Sequence, residues 1–202
     1  MKIIAKNKKD LLDSLNKVHS VVEKRNTLQI LSNIFMSVQN DELTIKATDL
    51  EVSIETVVPV QVLEPGRATV SAKSFLDIIR ELPEKEIHIH SKDNHWIGIA
   101  CGKSNFNIMG LSPEDFPSLP SYNGKNSSKA KVESLQKMID HTLYAVSGDE
   151  TRYHMNGVYI EALDQKKYLM VATDGHRLAY YEDVPFEGAG MPIPKGIIVP
   201  RK

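Results

Sequence analysis

Apolar residues at Leu11, Leu12, Leu15, Val18, Val21 and Val22 recur at spacings of three, four and seven, which predicts a helix with one buried face, while Asp13, Asn16, Lys17 and Ser20 occupy the other. A short strand, Lys2–Ala5, precedes it. Beyond a polar turn the period changes to two, and 34–38, 43–47 and 52–58 read as strands separated by Gln39-Asn40-Asp41 and Thr48-Asp49. Pro65-Gly66 reads as another turn. Thr69–Val70 then gives way to a second helix that Ser71 can cap, with Phe75, Leu76, Ile78, Ile79 and Leu82 on its apolar face and a stop at Pro83. Strands follow at 87–90, 96–100 and 105–109, and the proline-rich 111–120 reads as an extended segment running into a polar linker.

After the linker the same order restarts. A helix carries Leu135, Met138, Ile139, Leu143 and Val146, and strands follow at 158–162 and 168–172. The pairs Leu11/Leu135, Asn33/Asn156, Asp49/Asp174 and Val70/Val199 lie 124, 123, 125 and 129 residues apart. LSNIFMSV aligns with MNGVYIEA, KATDLEVSI with VATDGHRLAYY, and ATVSAK with GIIVPRK, each at the same place in its unit. Such self-similarity marks an internal repeat whose copies stack into a larger assembly. We expect one complete unit at 1–121, a linker at 122–128 and a second unit at 129–202. The first unit runs 47 residues past Lys73, and the second stops near the equivalent of Lys73. The expectation is therefore a fragment, with unpaired strand edges in its second unit.

Composition narrows the class without choosing a function. The 202 residues are 41% hydrophobic, enough for a sizeable core, and 25 Lys+Arg nearly balance 26 Asp+Glu. No global basic excess points to nucleic acid, so any DNA contact needs a local basic surface. No segment reaches the roughly 18 apolar residues of a membrane span, and one cysteine cannot form an internal disulfide. A soluble, cytoplasmic protein without membrane contact is expected. Asn126-Ser127-Ser128 matches a glycosylation acceptor but reads as linker in that setting.

Catalytic chemistry finds little support. Phosphate loops of standard spacing, HExxH and GxSxG are all missing from the sequence, and nothing in it calls for a cofactor. Asp174-Gly175-His176-Arg177 invites a general-base reading, and a hydrolase using Asp174 and His176 is one alternative. Gly175, however, marks a turn or bulge. Asp49-Leu50-Glu51, the first unit's equivalent, has neither His nor Arg, so the expected use of the cluster is special to the second unit. His88, His90 and His95 are close enough to suggest zinc, yet IHIH reads more simply as inward Ile alternating with outward His, and no metal is expected. Cys101 lacks the partners of a nucleophile.

The basic residues distribute differently. Lys17, Lys24 and Arg25 sit on or just after the first helix, Lys73 and Arg80 on the second, and Lys137 on the third. If the helices line one surface, these cations give sequence-independent, salt-sensitive phosphate contacts; an ordinary solvated helix face explains the same pattern. Arg152-Tyr153-His154, in the loop between helix and strand, suits phosphate or base stacking, although Asp149-Glu150 beside it opposes DNA.

Taken together, TLQILSNIF, ATDLE, EPGRATVSAKSFLDIIRELP, DFPSLP, RYHMNG, ATDGHRLA and IVPRK resemble the bacterial DNA sliding clamp, the beta subunit of DNA polymerase III, along the whole chain. The resemblance implies an α+β DNA-clamp fold of tandem β-α-β-β-β repeats, with helices on the inner face of a ring and sheets outside. It implies a non-catalytic processivity factor that slides on double-stranded DNA, closes as a homodimer, and tethers the polymerase catalytic subunit, clamp loader and other clamp-motif proteins. Arg25 and Lys73 match basic channel residues, and Arg152 and Tyr153 a DNA-proximal loop in which Asp149 and His154 depart from the family pattern. Met155, Thr173, Gly175, His176, Arg177 and Leu178 match one wall of the partner-peptide pocket. Phe106 and Ile108 match the dimer edge. With half a pocket and no closing domain, weakened peptide binding and no stable ring are expected of a fragment. A peptide-binding or assembly scaffold unrelated to DNA is the main rival reading.

Overall fold

The computed structural model describes residues 1–22, 28–119, 128–149, 151–164, 166–187, 193 and 195–201. The chain divides into two units, Met1–Pro120 and Ser121–Lys202, each with its own hydrophobic core. The expected linker, apart from Ser128, lies outside the described residues.

In the first unit, β1 (Lys2–Ala5) leads into α1 (Lys8–His19). The helix starts where Asn7 Oδ1 accepts the backbone N–H groups of Lys9 and Asp10 at 3.0 and 3.4 Å, two donors that the first turn leaves without partners. Leu11, Ser14, Leu15 and Val18 form its buried stripe. Val21 and Val22 fall beyond the helix end, one turn short of the span their spacing predicts. Their N–H groups bond to Val18 and His19 carbonyls three residues back, which keeps the helical phase after the α-helix has stopped. A meander follows: β2 (Asn33–Gln39), β3 (Glu42–Thr48) and β4 (Ser53–Pro59). Next come β5 (Gln61–Glu64), β6 (Gly66–Ser71), α2 (Ala72–Glu81), β7 (Ile87–Ser91), β8 (Trp96–Cys101) and β9 (Ser104–Met109).

The strands form two sheets, ordered β5-β1-β7-β8-β9 and β4-β3-β2-β6. Two successive β-α-β-β-β passes, starting at β1 and β6, have exchanged their first strands. Thus β1 pairs with β7, Ile3 opposite Ile89, and β6 pairs with β2, Val70 opposite Ile34. This corrects the reading of Pro65-Gly66 as a turn: it is the point where the chain leaves one sheet for the other. Gly66 has φ +153°, and a β-carbon there would lie 3.2 Å from that of Met1. Both sheets and both helices share one core, including Ile3, Leu15, Ile34, Ile45, Phe75, Ile79, Ile89 and Ile97; each such side chain contributes about 1.5–3 kcal/mol on burial.

The helices pack antiparallel. Lys8, at the start of α1, donates through Nζ to the carbonyls of Arg80 and Leu82 at the end of α2, a cation placed on the negative end of a helix dipole. On the other side of the β2-containing sheet, the segment after β9 is pinned by Thr69. Its hydroxyl donates to Leu111 O at 2.7 Å and accepts Leu111 N–H at 2.9 Å, and Phe116 stacks 5.3 Å from Phe35.

In the second unit, α3 (Val132–Asp140) is followed by a sheet of β10 (Gly157–Ala162), β11 (Tyr168–Thr173), β12 (Leu178–Asp183) and β13 (Ile197–Pro200). Its order, β12-β11-β10-β13, repeats β4-β3-β2-β6 strand for strand. Leu143 and Val146 lie past the helix end, because Thr142 Oγ1 turns back to Met138 O at 2.7 Å and the chain tightens into a 3-10 turn at Leu143–Ala145. Val158 faces Val199 as Ile34 faces Val70. Gly157, not Asn156, therefore stands in the place of Asn33, and the close passage of Val199 O, 2.5 Å from a hypothetical β-carbon, requires glycine there. Ala130 bridges to Phe186, the counterpart of the β1–β5 pairing. Among the described residues no helix is long and apolar enough to cross a membrane.

Candidate functional site

The turn between β11 and β12 holds most of the residues singled out in the second unit. Thr173 Oγ1 donates to Arg177 O at 2.7 Å and accepts the Gly175 N–H at 3.1 Å. Asp174 Oδ1 accepts the N–H groups of His176 and Arg177, both at 3.0 Å, and Oδ2 meets Arg177 Nε at 2.9 Å. These backbone donors, His176 before Arg177, together with the guanidinium hold the Asp174 carboxyl down to about 2. Such a carboxylate is committed to shaping the loop, its oxygens taken up by the His176 and Arg177 backbone and by the Arg177 guanidinium.

The first unit builds the same turn. Thr48 Oγ1 donates to Val52 O at 2.9 Å and accepts Leu50 N–H at 3.0 Å, while Asp49 Oδ1 accepts Glu51 and Val52 N–H at 3.0 and 2.7 Å. The Thr-Asp pair is therefore part of the repeat, and what distinguishes the second copy is Gly175-His176-Arg177 in place of Leu50-Glu51-Val52. Arg177 lies over the Tyr144 ring, 5.6 Å from its centroid. Leu178 is 65% exposed beside this turn, and Met155 is half-buried at the end of the 3-10 turn Tyr153–Met155. Gly175 also approaches Arg152: a β-carbon there would come within 3.8 Å of Nη1. The turn's own backbone donors are used up within it, so what it presents outward is the apolar Leu178 side chain with the Arg177 guanidinium close by. Sequence reasoning missed Tyr144, whose place under Arg177 depends on a 3-10 turn that interrupts the helical period.

The cations fall into groups. Because α1 and α2 run antiparallel, Lys17 in the last turn of α1 and Lys73 in the first turn of α2 lie at the same end of the helix pair, and both are exposed. Arg80, at the other end of α2, pairs with Asp77 at 3.6 Å. Lys137 is exposed on α3, Tyr153 is 76% exposed, and Arg152 pairs with Asp149 at 3.3 Å. Lys24, Arg25 and Glu150 lie outside the described residues.

The remaining candidates have structural surroundings. His88 and His90 share one face of β7, and the His90 imidazole lies across Gly98, where a β-carbon would sit 2.3 Å from Cε1. Burial and then Lys92 push its pKa down. His95 occupies a separate turn at φ +64°, and among the described residues no three His, Cys, Asp or Glu side chains cluster as metal ligands. Cys101 is buried, its Sγ 3.7 Å from Pro83 O. Phe106 and Ile108 lie on β9, an edge strand, opposite Ile99 and Ile97, with Phe106 40% exposed.

Tandem β-α-β-β-β units with a paired-helix layer and this repeated hairpin turn define a DNA-clamp fold, and comparison with known proteins agrees. The sequence model of the DNA polymerase III beta subunit, N-terminal domain, matches residues 1–120, and that of the central domain matches 129–202. The chain belongs to the DNA polymerase III beta subunit family. It is 40% identical over 198 residues to the beta sliding clamp of Caulobacter vibrioides, covering 95% of this chain and 52% of that protein. With the beta sliding clamp of Treponema pallidum it shares 35% identity over 204 residues, all of this chain and 54% of the relative. Among solved structures, the DNA polymerase sliding clamp of Caulobacter crescentus superposes with a TM-score of 0.89 at 40% identity, over all of this chain and 55% of that one. A sliding clamp from Bartonella birtlesii bound to griselimycin gives 0.86 at 38% identity, again over all of this chain and 54% of its own. The chain spans about half the length of the curated relatives it matches.

Proposed function

We propose that this chain forms part of a sliding clamp, a non-catalytic cytoplasmic processivity factor that encircles double-stranded DNA and tethers the replicative polymerase, clamp loader and other clamp-motif proteins. The observation that carries the reading is the ordered match of its two units to the N-terminal and central domains of one family, on a fold in which the same hairpin turn is built twice. In the first unit Lys17 and Lys73, exposed at one end of the α1–α2 pair, contact phosphates, and Arg80 is a further candidate on α2. In the second unit the candidates are Lys137, Arg152 and Tyr153, and Lys24 and Arg25, outside the described residues, are proposed from the sequence alone. Contacts to phosphate without base readout suit a protein that must move along its track. Met155, Thr173, Gly175, His176, Arg177 and Leu178 form one wall of the peptide pocket, and Phe106 and Ile108 lie at the subunit edge of a homodimer.

Duplex binding measured over a salt series tests the DNA face. Lys17→Ala and Lys73→Ala together should flatten the dependence of log affinity on log salt by about 1.8, the loss of two phosphate contacts. An unchanged slope would remove these lysines from the interface.

A further inference from the structure

Asp149, Thr151 and Arg152, ahead of β10, form a charge arrangement that bears on how firmly this part of the second unit holds DNA, and the inference rests on the DNA-binding reading above. The Arg152 guanidinium has Asp149 Oδ2 3.3 Å from its Nε. That carboxylate is fixed in place. Its Oδ1 accepts the Thr151 N–H at 3.0 Å and the Thr151 hydroxyl at 2.6 Å, and the Asp149 N–H donates to Ser147 Oγ at 3.1 Å. The Arg152 N–H closes the loop onto Asp149 O at 3.1 Å. The Thr151 hydroxyl, then its amide, and more weakly Arg152 keep the carboxyl below its usual range, so it is charged at neutral pH. A phosphate reaching Arg152 meets a guanidinium already paired, with a carboxylate held beside it.

We propose that Asp149 is an intramolecular competitor for DNA phosphate, which weakens the grip of Arg152 on the duplex. The device favours a mobile contact over a tight one, as sliding requires, because each phosphate contact that is only partly made contributes less to affinity. Both side chains are about half exposed, so the competition is modest, in the range of surface ion pairs.

The test uses the 202-residue chain and a fluorescein-labelled linear duplex titrated across a salt series. Asp149→Asn retains an acceptor for Thr151 and removes the charge. It should bind about two- to fivefold tighter at low salt, with a log–log salt slope steeper by up to about 0.9, one further phosphate contact. In an Arg152→Gln background the same change should bring no gain. If Asp149→Asn unfolds early, Asp149→Ser, which still accepts from Thr151, takes its place. An unchanged affinity overturns the proposal, and so does an equal gain in the Arg152→Gln background, since that would reflect net charge alone. Loss of binding in Lys17→Ala and Lys73→Ala alongside either result leaves the DNA reading standing and rejects only the competitor. Absence of duplex binding by the unsubstituted chain overturns both.

Discussion

The two hairpin turns, at residues 48–52 and 173–177, share their hydrogen bonds and differ in everything those bonds leave free. In both, a threonine hydroxyl closes the loop across four residues and an aspartate collects two backbone donors. In the first turn the third residue is Leu50, held at φ +80° and exposed; in the second it is Gly175 at +90°. The first turn is anchored in a buried threonine, Thr48 at 2% exposure, whereas Thr173 is partly exposed. The second presents His176, Arg177 and Leu178 instead. Scaffold and surface are thus separable: conserving the geometry of the repeat costs only a Thr-Asp pair, and the other positions are available for binding.

Burial sets the largest expected difference between the turns. Thr48→Val removes, at a residue only 2% exposed, the hydroxyl that accepts from Leu50 N–H and Ser53 Oγ and donates to Val52 O, and should cost about 2 kcal/mol, while Thr173→Val should cost about 1 kcal/mol or less, measured by denaturant unfolding. Equal costs would mean that the two turns are not differently anchored. Backbone strain comes next. Gly175→Leu should destabilise the second unit by about 1 kcal/mol or less, the left-handed strain reduced by the freedom the side chain removes from the unfolded chain. Leu50→Gly should lie within about 0.5 kcal/mol of neutral, because relief of strain offsets the added freedom of the unfolded chain.

The pH response should be smaller. A carboxyl with its folded pKa below the unfolded value of about 3.9 adds stability that is complete above that value and lost as pH falls through the folded pKa. For Asp174 the loss should therefore run from about 3.9 down to about 2, where the folded carboxyl titrates. An NMR titration following the His176 and Arg177 amides should show it, and Asp174→Asn should remove it; titration near 4 would separate this turn from the hydrogen bonds that define it. The smallest effect belongs to the ring contact. Arg177→Met should cost about 0.5 kcal/mol more in the unsubstituted chain than in a Tyr144→Leu background, the share that belongs to the guanidinium–ring contact at 5.6 Å and not to the Asp174 pair.

Much of the fold was legible because buried residues keep strict periods. Leu11 to Val18, Phe75 to Ile79 and the alternation of Ile87 and Ile89 placed two helices and a strand directly, and the repeat placed the second sheet. The breakdowns have local causes. Val21 and Val22 continue the helical phase through 3-10 bonds, and β5, only four residues long, carries no clear alternation. β12 was visible only as the partner of 52–58 in the repeat, since Tyr180 and Tyr181 are apolar on both faces. The strand exchange at Pro65-Gly66 depends on pairings between residues far apart in sequence, which no local pattern encodes. Of the site, the Asp174–Arg177 cluster was legible as a loop, and the repeat already paired Asp174 with Asp49 and marked the His and Arg as special to the second unit. What the sequence could not show is that both aspartates hold backbone donors, since those bonds depend on the local turn geometry.

The central claim is that the second turn is the first one, re-equipped to hold a peptide. Its most direct test replaces Gly175-His176-Arg177 with Leu-Glu-Val, the residues of the first turn. Amide chemical shifts are then followed as a peptide carrying the clamp-binding motif of the polymerase catalytic subunit is added. The account predicts that shifts in the unsubstituted chain cluster at Met155 and Thr173 to Leu178, and that the grafted chain keeps its sheet and loses them. Undiminished shifts in the grafted chain, or a cluster elsewhere on the protein, would contradict it.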